Sequence, residues 1–158
     1  MKIFKYVVMA GIVLATMSSC LKANLEDLPT YDESRITDIR FDYRYYGPNE
    51  WVDGEHVVEY QQLTVVDKNV DKEALTVTCK VQVPKANGSF TATEKAKVTK
   101  ANLTGIVWLS TAARIIPLNG SPVLGVPGDW TKPNKYEVTA ANGSKSVWTI
   151  TVLSLEQL

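Results

Sequence analysis

Leu75-Thr76-Val77-Thr78-Cys79-Lys80-Val81-Gln82-Val83 is the stretch that decides the fold. Apolar side chains at 75, 77, 79, 81 and 83 alternate with threonine, lysine and glutamine, a period of two that turns one row toward a core and the other toward water. Pro84 ends the strand because it has no N–H to give to a ladder. Working outward, Ile39, Phe41, Tyr43 and Tyr45 alternate with Arg40, Asp42 and Arg44 in the same way, predicting a second half-buried strand. Residues 47–56 carry glycine and proline breakers and lead to a strand expected over 57–66. Further strands are expected at 106–109, 114–118, 136–140 and 146–153, divided by Asn119-Gly120-Ser121-Pro122, Pro127-Gly128-Asp129 and Asn142-Gly143. The last two should pair as a hairpin with Trp148, Ile150 and Val152 inward. Residues 90–100, rich in Thr and Lys, fit either an exposed edge strand or a mobile loop, and no helical period is found past the leader. Many short strands with turn signals between them predict an all-β protein, a single antiparallel β-sandwich.

The N-terminus is of another kind. Lys2 and Lys5 precede an uncharged run over 6–15, then Met17-Ser18-Ser19-Cys20, the three parts of a secretory signal peptide. The run is too short to span a bilayer, which takes roughly 20 apolar residues. Met17-Ser18-Ser19-Cys20 resembles the bacterial lipobox, and that resemblance implies cleavage before Cys20 and acylation of its sulfur, making the membrane a partner through lipid. The expected organisation is a signal peptide over 1–19, a lipidated cysteine and tether over 20–34, and the folded domain over 35–158. Acidic residues beginning at Glu26 resemble the surface-export signal of Bacteroidetes-type lipoproteins, so the expected location is the cell envelope, as an outer-membrane lipoprotein facing outward.

Composition narrows the function classes. Apolar residues make up 45% and charged residues 22%, as in folded soluble domains. Seventeen basic side chains balance seventeen acidic ones without clustering, which argues against nucleic acid as a partner. With Cys20 taken by the anchor, Cys79 has no disulfide partner; its inward phase makes it a small buried apolar residue whose thiol is inert.

Gly120-Ser121-Pro122-Val123-Leu124-Gly125-Val126-Pro127-Gly128-Asp129-Trp130, with Tyr136 to Gly143 and Trp148-Thr149-Ile150-Thr151-Val152, is similar to an immunoglobulin-like module of Bacteroidetes-type surface lipoproteins. Leu28-Pro29-Thr30-Tyr31 with residues 36–45 resembles the start of that module, a domain of unknown function. The resemblance implies an immunoglobulin-like sandwich at the cell surface and assigns no functional residue.

Side chains capable of chemistry are few. His56, the one histidine, lies beside Glu55 and near Asp53 and Glu59, but no nucleophile motif surrounds any serine, so a solvated loop histidine is expected. Asp67, Asn69, Asp71 and Glu73 imitate half a calcium loop, yet Lys72 stands where the turn needs glycine and Thr78 where a bidentate Glu would close the site; a polar hairpin turn is expected instead. Neither a metal site nor a cofactor is expected. The Asn-x-Ser/Thr triplets at 87–89, 102–104 and 142–144 mark turns only. Tyr45, Tyr46, Trp51 and Trp130 lie in or beside loops, where a ring face with polar neighbours suits a sugar, and Trp51, Tyr46 and Trp130 are the candidate ligand residues. Trp130 has a structural alternative as a plug for the end of the sandwich. The resulting expectation is a non-catalytic, lipid-anchored envelope lipoprotein acting as a binding or accessory module, for a glycan or for a neighbouring envelope protein; the alternative is a structural or protein-interaction subunit of an envelope assembly without a small ligand.

Overall fold

A computed structural model describes residues 31–50 and 53–158. The alternation read from the sequence becomes two packed sheets. Strands β1 (Ile36–Glu50), β2 (His56–Gln62), β5 (Leu103–Leu109) and β7 (Pro127–Gly128) form one, in the order β2-β1-β5-β7. Strands β3 (Thr64–Asp71), β4 (Thr76–Val83), β6 (Arg114–Leu118), β8 (Asn134–Thr139) and β9 (Lys145–Gln157) form the other, in the order β3-β4-β9-β8-β6. The protein is an all-β sandwich.

Period two places the core. Ile39, Phe41, Tyr43 and Tyr45 of β1 meet Val77, Cys79, Val81 and Val83 of β4 and Trp148, Ile150 and Val152 of β9 in one buried cluster. The β8–β9 hairpin forms in the expected phase, with Thr139 opposite Lys145 and a left-handed Gly143 in its turn.

Three sequence expectations need correction. The strand over 57–66 is two strands: Leu63 is buried between them, its N–H bonds Phe41 O at 2.9 Å, and there the chain leaves one sheet for the other. No glycine or proline interrupts residues 57–66, so the run reads as one strand until the second sheet is known. The sandwich is also not wholly antiparallel, since β4 and β9 run parallel, pairing Thr76 with Thr149 and Cys79 with Val152. Finally, residues 90–100 hold neither strand nor loose loop but a short helix α1 (Ala92–Lys97), capped by Thr91 Oγ1 accepting from Glu94 N at 3.2 Å, and a 3-10 turn (Lys100–Asn102). Phe90 and Val98 flank the helix and pin it to the core.

Residues 31–34 belong to the same compact unit as the rest of the described chain, Tyr31–Leu158. Residues 31–34 are stitched along it by their carbonyls: Asn142 N donates to Tyr31 O, Ser144 Oγ to Asp32 O, Ser110 Oγ to Glu33 O, and Trp148 Nε1 to Ser34 O at 3.0 Å. No helix among the described residues is long and apolar enough to cross a membrane.

Candidate binding surface

Trp130 is 1% exposed. Its Nε1 donates to Leu103 O at 3.0 Å, its ring meets Phe41 edge-on at 4.9 Å, and it stacks near Tyr136 at 6.1 Å. The ring plugs the sandwich and offers no face to a ligand, which removes Trp130 from the candidate ligand residues. Tyr45 is buried too, its hydroxyl donating to Glu59 Oε2 at 3.2 Å and sharing a bond with Ser89 Oγ at 3.0 Å. Trp51 and Cys20 lie outside the described residues. His56 opens β2 as an exposed side chain, 6.2 Å from the Tyr46 ring. Among the described residues no group of three His, Cys, Asp or Glu is placed to hold a metal. Asp71 Oδ1 instead accepts from Glu73 N and Ala74 N and closes the β3–β4 turn, while Asp67 pairs with Lys80 at 2.8 Å.

Tyr46 behaves otherwise. It is 73% exposed, and it belongs to the outward row of β1, where Asp38, Arg40, Asp42, Arg44 and Tyr46 follow every second position. Strand register builds a face around that row. Tyr46 lies opposite Val58 and Arg44 opposite Tyr60 on β2; Arg40 lies opposite Ile106 and Asp38 opposite Trp108 on β5. Tyr60 is 64% and Trp108 45% exposed. The Arg40 guanidinium lies 5.8 Å from the Trp108 ring centre, a cation–π distance. From Asp38 to Tyr46 the face extends roughly 27 Å along β1, at about 3.4 Å per residue.

Two shallow grooves cross it. One of about 490 Å³ lies between Trp108, Arg40 and the β2–β3 crossing at Gln62 to Val65. The next, about 500 Å³, is lined by Arg40, Asp42, Arg44, Val58, Tyr60 and Ile106, with Glu59. A smaller pocket among Arg44, Tyr46, Val58 and Pro127 continues the line.

The electrostatics are uneven. Asp38 is held by Lys68, whose hydrogen bond lowers its pKa below the ordinary carboxylate value against a smaller opposing effect of burial. Asp42 is 3% exposed and bonds Arg40 at 3.1 Å through Oδ2. Its other oxygen has no partner, and neither do Arg40 Nε and Thr104 Oγ1; Thr104 lies opposite Asp42 in the register. Three of the five buried side-chain polar atoms without a partner among the described residues thus belong to one patch of this face. Buried polar atoms are ordinarily satisfied, by protein or by ordered water, so this patch departs from the common pattern.

Sequence reasoning missed Trp108, Tyr60 and Val58. Residues 103–109 are apolar almost throughout, so the phase of Trp108 cannot be read until Leu103 and Gly105 are seen to face Trp130 and the core.

Fold and surface together define a small all-β sandwich that presents an aromatic and arginine-bearing sheet face to solvent. The chain belongs to the DUF5018-related family, whose pattern it matches over residues 36–151. It is similar to a crystal structure of a Bacteroides fragilis NCTC 9343 protein provisionally described as secreted, with 42% identity over 81% of this chain and 99% of that one, and a TM-score of 0.74. Curated proteins yield no match.

Proposed function

We propose that this protein is a lipid-anchored, non-catalytic glycan-binding module of Bacteroidetes type, with an immunoglobulin-like sandwich, held at the outer membrane through Cys20 and binding its ligand on the outer face of the β2-β1-β5 sheet. The observation that carries the reading is the exposed row of Trp108, Tyr60 and Tyr46, with Val58, along one sheet face and interleaved with polar groups. Ring faces pack on the C–H surface of a sugar while neighbouring polar side chains fix its hydroxyls. An extended, shallow face suits a chain of sugar units better than a compact metabolite, which is ordinarily enclosed. The anchor is supported by the lipobox resemblance at Met17 to Cys20 and by the secreted description of the Bacteroides fragilis relative.

Titration of the protein with a panel of polysaccharides tests the site. Trp108→Ala and Tyr60→Ala should each weaken binding by about two- to twelvefold, given the ~0.5–1.5 kcal/mol of a stacked ring. Equal binding by wild type and both variants would reject the face, and Trp51→Ala measured beside them tests the loop tryptophan. Labelling with radioactive palmitate, lost in Cys20→Ala, tests the anchor.

A second reading draws on β2, an edge strand without proline or lysine that exposes Val58 and Tyr60. Such an edge accepts an added strand from a protein partner. Failure to bind any glycan, together with a stable oligomer abolished by Val58→Lys, would favour it.

A further inference from the structure

Resting on that face as a glycan site, we infer that its ligand is an acidic polysaccharide, one bearing carboxylate or sulfate groups, and that Arg44 is the residue that reads the anion. The inference comes from which charges on the face are already spoken for. Asp38 is neutralised by Lys68, and Asp42 by Arg40, whose guanidinium is also turned to the Trp108 ring. Arg44 has neither an ion pair nor a hydrogen bond among the described residues, and its side chain is exposed. It is the cation of the groove left without a carboxylate partner, since Glu59, which also lines the groove, is turned to the hydroxyls of Tyr45 and Ser89, and it lines both the central groove and the pocket beside Tyr46.

Its neighbours make it more than a solvated arginine. Tyr60 stands directly opposite on β2, and Tyr46 follows two residues along on the same side of β1. Side chains directly opposite in an antiparallel pair stand about 5 Å apart, so a sugar ring resting on Tyr60 holds an exocyclic acid group within reach of the guanidinium. The fork of an arginine matches a carboxylate or sulfate with two parallel hydrogen bonds, which a lysine does not. Beneath the same groove Asp42 is buried and held by Arg40, so what the groove offers a ligand is its rings and the Arg44 guanidinium. A neutral glycan would use the rings but bring no counter-charge to Arg44.

The test is affinity electrophoresis and calorimetry with the full-length protein in detergent, against polygalacturonate and chondroitin sulfate on one side and dextran and galactan on the other. The expected result is retardation by an acidic polymer, weakening as salt rises, and a loss of tenfold or more in Arg44→Gln with part of the affinity restored in Arg44→Lys. Binding of neutral polymers alone, or an affinity for acidic ones unchanged in Arg44→Gln, would overturn the acidic assignment and leave the glycan face standing. No binding to any of the four polymers, with circular dichroism showing the folded protein, would overturn this inference and the glycan reading together.

Discussion

Gly105 lies where the Trp130 ring needs room: a Cβ on it would stand 2.3 Å from Trp130 Cζ2. That one absence lets a tryptophan lie flat against β5 and donate to Leu103 O. Gly105→Ala should therefore overpack the core and cost about 1–3 kcal/mol, read as a lower midpoint in urea with tryptophan fluorescence. Cys79 makes a second case. Burial pushes its thiol up to about 11, with Lys68 opposing weakly. In the unfolded chain the same thiol ionises near 8.5, so its contribution to stability is whole below that pH and is lost as pH rises toward 11. The slope of unfolding free energy against pH between 9 and 11 should be shallower in Cys79→Val than in wild type, and a thiol reagent should react with the wild-type protein only after denaturant is added. The burial of Cys79 was legible from its phase alone. The burial of Trp130 was not, because a tryptophan after Gly128-Asp129 reads equally as a loop platform or a plug until its neighbours are known.

At the scale of elements, the strands whose two faces differ were legible and the others were not. β4 and β9 alternate without ambiguity because one face is core and the other solvent. Helix α1 buries none of its six residues, so it leaves no apolar period to detect; its one local signal is Thr91 three residues before Glu94. Thr91→Ala should cost about 1 kcal/mol, visible in thermal unfolding. The crossing between β2 and β3 is held by a single buried side chain. Leu63→Ala should cost about 2–5 kcal/mol, with hydrogen exchange accelerated at Leu63 and along β2 before β4 and β9.

Across the whole molecule, the docked segment at residues 31–34 ties the start of the domain to the β8–β9 turn and to Ser110. A chain beginning at Arg35 should be less stable than one beginning at Tyr31 by about 2–4 kcal/mol, since Ser110, Ser146 and Trp148 each lose a carbonyl partner worth about 1 kcal/mol. Denaturation of the two chains in urea checks this. The geometry bears on the proposed anchor as well. Between Cys20 and Tyr31 the chain can reach at most about 35–40 Å when fully extended, so a domain tethered by residue 20 stays close to its membrane.

What the amino-acid sequence determined by itself is everything written in a local period: the β class, the inward rows of β1, β4 and β9, and the closing hairpin. Period two says which side chains share a face, since neighbouring Cβ atoms point opposite ways whatever the rest of the chain does. It cannot say which strands a face is packed against, nor which face is inward where both are apolar. Only the tertiary structure decided that Trp130 lies inside and Trp108 outside, that β4 runs parallel to β9, and that Tyr46, Arg44, Tyr60 and Trp108 share one surface. Those facts depend on register between strands distant in the chain, which is set by packing and by the bonds across the sheet rather than by any residue's immediate neighbours.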